Sequence, residues 1–568
     1  MATVYQNYPT EVYTDLKQML NTVCERHAEK TLFLEKNEGE YRPVSYQAYC
    51  DAVNALGTEL MAQGFSGKRI LVIGENGTAW VTAYMAVICG VGVVVPVDKE
   101  IAAEELANIA QISHASAIIY SGKLEAKVAG LAPDVTRIPF DALDEWIARG
   151  RERLLGGDRS YLEATVDPSA MSALIFTSGT TGVSKGVMLS HRNLCFNLSE
   201  MCQMIYIGEG DVFLSVLPLH HSYECTCGFL CPLYRGCTVA FSEGLRYITR
   251  NMQEVHPTMM LCVPLLIETM YQKVWANIRK QGLEKKVRSA IKVTNAIHPE
   301  KLRIKAKKRL FATVHKSFGG SLRLLISGGA SVDPAVLQGL RDLGIETRQG
   351  YGLTECAPIA ALNRDALYHD GSAGTATPNT LLDIYDLQDD GTGEIRYKGE
   401  NVMLGYYEQP EATAEVLHDG WFYTGDLGFI DEKGFLFITG RKKNVIVTAN
   451  GKNIFPEELE TYLCRTPYVK EAVVVGYLND KKKDYDVVAL IHPDYERLTE
   501  KYGNYTAGQM DLEMKRAVSE VNATVQAYKR IEAYVVCDEE FPKNTSRKIR
   551  RAGLAEAHYA AYLEQIKH

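Results

Sequence analysis

Between Lys68 and Tyr120 short apolar segments alternate with longer ones, and that alternation narrows the possible folds more than any other feature of the chain. Arg69 to Ile73 reads as a buried strand, Gly74-Glu75-Asn76-Gly77 as a turn, and the stretch from Trp80 as a helix. Val91 to Val97 follows as a second strand, Ala102 to Ile112 as a helix and Ala117 to Tyr120 as a third strand. Strands separated by helices pair in parallel, and the helices then cover both faces of the sheet. The expectation is an α/β fold. A second series of this kind opens at Phe213-Leu214-Ser215-Val216-Leu217, and the 568 residues are more than one core fills, so at least two domains are expected. No internal repeat and no low-complexity segment interrupts the pattern.

The run from Trp80 to Val97 carries no charge and is nearly long enough to cross a bilayer. Gly90 and Gly92 divide it, and its second half is β-branched, so a buried helix followed by a buried strand is expected. The first twenty residues mix polar and apolar side chains around Glu11 and Asp15, and no signal peptide is expected there. A net charge of -8 and the lack of a long basic or aromatic-basic tract argue against a dedicated nucleic-acid binder. The basic run from Lys301 to Arg309 reads as a solvated helix face. Thirteen cysteines are scattered without paired spacing, and the cluster Cys225, Cys227, Cys231 and Cys237 lies in apolar sequence, so small buried thiols are expected rather than a zinc site. Free thiols at this density suit a reducing cytoplasm.

The chemistry is concentrated in a few polar segments at strand ends. Ala173-Leu174-Ile175-Phe176 runs into Thr177-Ser178-Gly179-Thr180-Thr181-Gly182-Val183-Ser184-Lys185-Gly186, which runs out into Val187-Met188-Leu189-Ser190. Glycines that let backbone approach an anion, four hydroxyl donors and a lysine make this a loop for phosphate. It is not a Walker loop, because Lys185 lies between Ser184 and Gly186 rather than between glycine and a hydroxyl residue. Leu217-Pro218-Leu219-His220-His221-Ser222-Tyr223-Glu224 ends a strand with two imidazoles, and an extended backbone there would turn His220 away from His221. Ser327-Gly328-Gly329-Ala330 is a strand end opening into a glycine turn, on which a flat ring can stack.

Gln349-Gly350-Tyr351-Gly352-Leu353-Thr354-Glu355 offers an exposed ring between glycines, with a hydroxyl and a carboxylate beyond it. Those are parts for a purine platform and a magnesium site, since that ion takes hard oxygens. From Gly391 short strands and glycine turns suggest a small β-barrel, closing on Trp421-Phe422-Tyr423-Thr424-Gly425-Asp426. A carboxylate after a glycine turn, as Asp426 is placed, can accept from two vicinal hydroxyls. Past Asn444 a small α+β domain is expected, with strands at Val445 to Thr448, Ala472 to Val475 and Asp486 to Ile491 and a helix from Pro456. The chain closes on Phe541-Pro542-Lys543-Asn544-Thr545-Ser546-Arg547-Lys548-Ile549-Arg550-Arg551.

Five of these segments, spaced from 177 to 548, resemble in content and order the signatures of the AMP-forming adenylating superfamily. That superfamily includes acyl-CoA synthetases, beetle luciferases and peptide-synthetase adenylation domains. The Val263-Pro264-Leu265-Leu266-Ile267-Glu268 opening and the long insertion after it are most similar to long-chain fatty acid–CoA ligases. Two positions depart from the pattern: Ser184 stands where proline usually precedes the lysine, and Arg547 where glycine usually precedes Lys548.

The resemblance implies a large N-terminal AMP-binding domain over 1–442, built of αβ-layered subdomains plus the small barrel. A mobile C-terminal α+β domain over 443–568 follows, with Lys443 as its hinge. It implies that Thr177, Ser178, Gly179, Thr180, Thr181, Gly182 and Lys185 hold ATP phosphates. Gly328, Gly329, Ala330, Gln349, Gly350, Tyr351, Gly352, Asp426 and Arg441 would line the adenine and AMP site. His221 would border the carboxylate pocket, Thr354 and Lys548 would act on the α-phosphate, Glu355 would hold Mg²⁺, and Gly451 would face the thiol channel. The implied reaction joins a fatty acid, ATP and coenzyme A through acyl-AMP. An acyl carrier protein as acceptor, arrest at acyl-AMP, and a non-catalytic lipid-binding relative are the alternatives. The partners are small molecules, with no nucleic acid and at most peripheral membrane contact.

Overall fold

A computed structural model of the chain describes residues 7–177, 184–389, 391–450, 452–479, 481–543 and 549–565. The segment that alternates in sequence forms a seven-stranded sheet. Its order is Gly405–Tyr406, Lys185–Ser190, Met171–Thr177, Gly92–Val97, Lys68–Ile73, Ala115–Tyr120 and Thr136–Pro139. The last five are mutually parallel, and Lys185–Ser190 runs back antiparallel beside Met171–Thr177. Their residues from Ile70 to Ile73 and from Ala117 to Ile119 are fully buried, as expected of strands covered on both faces.

The uncharged run resolves as helix Thr78–Ala86, a wide i→i+5 turn over Val87–Val91 and strand Gly92–Val97. Trp80, Val81, Met85, Val94 and Val95 are at most 1% exposed, and each such side chain contributes about 1.5–3 kcal/mol by leaving water, so the run belongs to the core. A Cβ on Gly92 would stand 2.1 Å from the Lys68 carbonyl oxygen, which is why the strand begins on glycine. Among the described residues no helix is long and apolar enough to cross a membrane.

A second sheet of nine strands follows the order Thr375–Ala376, Ile359–Leu362, Glu346–Gly352, Leu324–Ser327, Met259–Cys262, Val212–Ser215, Thr238–Phe241, Thr31–Asn37 and Glu40–Ser45. Six of them, from Glu346–Gly352 to Thr31–Asn37, are parallel. The long connection between Met259–Cys262 and Leu324–Ser327 is helical, with helices Pro264–Lys280, Glu284–Asn295, Glu300–Leu310 and Ala312–Ser317. The basic run lies on the third of these and is not wholly solvated: Lys307 is buried and donates 2.9 Å to the Arg341 carbonyl oxygen. The glycine-punctuated stretch expected as a barrel is a five-stranded sheet of Leu381–Tyr385, Gly393–Lys398, Leu417–His418, Trp421–Ile430 and Leu436–Arg441. All thirteen cysteines are free thiols, and every one but Cys464 is buried.

The chain divides into two compact units, one of residues 1–382, 397–422 and 432–436, the other of 383–396, 423–431 and 437–568. The first holds both large sheets. In the second, Val469–Asn479 and Asp484–Pro493 pair antiparallel, and Ala533–Val536 adds parallel to the latter. Alternation divides the side chains of this sheet. Ala472, Val474, Ala489 and Ile491 pack with Leu459, Leu463, Met514 and Val521 from helices Pro456–Cys464 and Ala507–Thr524, while Val473, Tyr477, Val488 and Leu490 pack with Leu554 and Tyr562 from helix Leu554–Gln565. The strand expected at Val445 to Thr448 is shorter, Ile446–Val447, paired with Asn453–Ile454.

Candidate active site

In the first unit, segments far apart in the chain are joined side chain to side chain. Strands Met171–Thr177 and Lys185–Ser190 place Thr177 opposite Lys185, with the Thr177 hydroxyl donating 3.3 Å to the Lys185 carbonyl oxygen. Ser178, Gly179, Thr180, Thr181 and Gly182 lie outside the described residues. Gly186 is pressed between Leu174, Phe176 and Tyr407, where a Cβ would meet atoms at 2.9–3.3 Å. The Lys185 ammonium lies 4.6 Å from the centre of the Tyr406 ring, brought there because Gly405–Tyr406 pairs with Lys185–Ser190.

Tyr406 in turn donates its hydroxyl to Glu355 Oε1 at 2.9 Å. Burial, and after it the Glu355 charge, push the Tyr406 phenol above its usual range, so it stays a donor. The backbone reinforces the joint, Met403 N–H donating 2.8 Å to the Glu355 carbonyl oxygen. One residue before, the Thr354 hydroxyl lies 3.2 Å from the Ser222 hydroxyl, which adjoins His221. Tyr223 then donates 3.0 Å to the Ile326 carbonyl oxygen, and its ring fills the space a Cβ on Gly328 would need, 2.9 Å away. Gly329 takes φ +90°, a turn that an L side chain resists.

The second unit holds its own pair. Asp426, 5% exposed, accepts from Arg441 Nε at 2.9 Å, and Lys442 reaches Glu394 at 2.7 Å. Asp426 does not follow a turn: it lies within strand Trp421–Ile430, where Gly425 takes φ +70° and bends the strand locally. Lys443 sits in a single 3₁₀ turn, Lys442–Asn444. Lys548, Arg547 and Gly451 fall outside the described residues.

Residues 20–407 match the model of the AMP-binding enzyme family, and residues 443–568 match that of the AMP-binding enzyme C-terminal domain. The chain belongs to the AMP-binding enzyme family. A long-chain-fatty-acid–CoA ligase of Mycobacterium bovis is 27% identical over 93% of this chain and 93% of its own, and long-chain-fatty-acid–CoA ligase 1 of Cavia porcellus is 28% identical over 82% of this chain and 71% of its own. Among solved structures, the anthranilate CoA ligase AuaEII in complex with anthranoyl-AMP superposes with a TM-score of 0.76 at 19% identity, covering 98% of this chain and 99% of that one. This AMP-binding enzyme is similar along nearly its whole length to fatty-acyl–CoA ligases.

Three local expectations from the sequence change. The Tyr351 ring is buried, at 7% exposure, because Tyr351 belongs to strand Glu346–Gly352 and pairs with Ala361. Gln349 is committed to backbone: its amide donates 2.7 Å to both the Asp370 and Ser372 carbonyls and accepts from Val332 N–H at 3.3 Å. His220 and His221 lie in a turn, not an extended strand, with ring centres 4.1 Å apart. Burial, and next the His221 ring, hold His220 well below its ordinary pKa, although Asp98 lies 3.4 Å away.

Two supporting residues carried no signal that sequence reasoning used. Asn76, read only as part of a turn, donates to Ser215 Oγ at 3.1 Å and to the Leu217 carbonyl oxygen at 2.7 Å, and accepts from Leu219 N–H at 3.1 Å. It thereby ties the end of Lys68–Ile73 to the segment that carries His221. Glu224 is buried in the wide helical turn Tyr223–Leu230, accepting from Ser215 Oγ at 2.6 Å, and Gly228 leaves it room. Burial raises its carboxyl to about 8.

The oxygens of Glu355 and Thr354 suit Mg²⁺, which keeps several waters and takes substrate phosphates instead of an all-protein cage. Among the described residues no cluster of three His, Cys, Asp or Glu exists that would favour a softer, fully protein-bound ion.

Proposed function

We propose that this chain is an ATP-dependent acid–thiol ligase for fatty carboxylates of medium or long chain, with coenzyme A as acceptor. The observation that carries the reading is the run of contacts Lys185–Tyr406–Glu355 and Thr354–Ser222 beside His221, which unites three separate motif segments in one unit. The fatty character of the acid is supported by the names of the relatives and by the helical insertion after Val263.

In the first step a carboxylate oxygen attacks the α-phosphorus, the bond to the β-phosphate oxygen breaks, and pyrophosphate leaves. Charge builds on the phosphoryl oxygens, so prepositioned cations and donors lower the barrier most. Lys185 and its loop hold the outer phosphates, Thr354 donates to the α-phosphate, and Lys548 bridges it to the carboxylate. Mg²⁺ on Glu355, when bound, neutralises part of the triphosphate charge. The turn at Gly328 to Ala330 and residues Gly350 to Gly352 border the purine, and Asp426 with Arg441 serves the ribose. In the second step the thiol attacks the acyl carbonyl and AMP leaves. Residues 443–568 then turn about Lys443, withdrawing Lys548 and offering the face at Gly451 to the pantetheine arm.

The test is pyrophosphate release across short, medium, long and aromatic acids, followed by AMP release with coenzyme A or an acyl carrier protein. Fatty acids should release pyrophosphate and coenzyme A should release AMP. No pyrophosphate with any fatty acid sinks the reading, and AMP release only with the carrier protein replaces the acceptor.

A further inference from the structure

Charge is unevenly distributed along this chain. Residues 283–311 hold ten Lys and Arg against two acids, while the whole chain carries -8, so the rest bears sixteen net negative charges. The segment folds as helices Glu284–Asn295 and Glu300–Leu310, packed on one another in the first unit. Lys285, Lys286, Lys292, Lys305, Lys308 and Arg309 are exposed, and among the described residues no carboxylate lies within ion-pair distance of any of them. The same helices also expose large apolar side chains: Val293 is 67% exposed, Leu302 54% and Leu310 55%. The spacing groups two of them with the charges, Lys285, Lys292 and Val293 on one face of the first helix and Leu302, Lys305 and Arg309 on one face of the second.

We propose that the helix pair 284–310 is a docking surface for an anionic lipid bilayer. Unpaired cations attract the headgroups, and Val293, Leu302 and Leu310 enter the interface, a combination that neither charge nor apolar area alone makes stable. A nucleic acid would use the cations and leave the three apolar side chains idle. Charge complementarity also orients the molecule, because an anionic surface repels the remainder of the chain. The assignment is independent of which acid the enzyme activates, and bilayer binding is measured without turnover.

The experiment is flotation of the full chain with vesicles of phosphatidylcholine alone or mixed with phosphatidylserine, at low and high salt. Partition onto the mixed vesicles should exceed that onto the neutral ones by about tenfold or more and fall with salt. Two variant sets should each weaken it: Lys285→Gln, Lys292→Gln, Lys305→Gln and Arg309→Gln together, and Val293→Ser, Leu302→Ser and Leu310→Ser together. Both should leave pyrophosphate release with a dissolved acid unchanged, which shows that they fold. Equal partition onto both lipids, no binding to anionic vesicles at low salt, or binding that neither set alters overturns the proposal. So does tighter binding to a DNA duplex that survives the apolar set.

Discussion

Tyr406 serves two partners at once, its ring under Lys185 and its hydroxyl on Glu355. Removing the hydroxyl alone separates the two roles. Tyr406→Phe should lower kcat/KM for ATP about tenfold, the scale of a hydrogen bond to a charged group, and Tyr406→Ala should cost more. Initial rates at varied MgATP check this, and a Phe variant equal to the parent would mean the hydroxyl does not hold Glu355. Glu224 makes a different prediction. Its carboxyl is raised by burial from an ordinary 4.5 to about 8, so between those values the folded state keeps a proton that the unfolded chain has lost. Stability is therefore fully present below the lower value and falls as pH rises towards the upper, by up to about 1.4 kcal/mol for each pH unit. Glu224→Gln should flatten that slope in urea melts from pH 4.5 to 8. These two residues differ in legibility. Glu355 stood out in the sequence as a carboxylate beside threonine after a glycine-flanked aromatic, and its proposed role came from the resemblance. Glu224 did not stand out, because nothing local says that a glutamate in an apolar run has Ser215 to bind and Gly228 to make room.

At the scale of elements, the strand Glu346–Gly352 shows what the alternation could and could not convey. Its sequence is glycine-rich enough to read as a flexible turn with an exposed ring, yet pairing with Ile359–Leu362 makes it a strand and buries Tyr351. Gly352 is there for closeness rather than flexibility, since a Cβ would stand 1.9 Å from the Pro358 carbonyl oxygen. Gly352→Ala should then destabilise the protein by about 1–3 kcal/mol through overpacking against backbone, visible as a lowered urea midpoint with an unchanged slope. An unaltered midpoint would mean that the two strands can separate at little cost. The turn carrying His220 and His221 teaches the same lesson. Proline at 218 marks a break but not its shape, and the shape depends on Asn76, more than a hundred residues earlier.

For the whole molecule the division of labour proposed above has a direct test. Lys548→Ala should abolish acid-dependent pyrophosphate release, by about two to three orders of magnitude, while sparing thioester formation from supplied acyl-AMP. Equal loss of both half-reactions would remove the need for a turning C-terminal domain. The parallel sheets, the buried course of residues 80–97, the strands on either side of the glycine- and hydroxyl-rich segment after Thr177 and the order of the motifs were all determined by the sequence itself. Each rests on local residue chemistry: hydrophobic period, β-branching, glycine and hydroxyl content. What only the tertiary structure decided is which distant groups meet. The ring that Lys185 covers, the hydroxyl that holds Glu355, the asparagine that shapes the His221 turn and the burial of Lys307 inside a basic run all depend on strand order and crossover. Such contacts arise from long-range packing that no short window of residues encodes, because the same side chain is solvated or buried according to what the rest of the chain places against it.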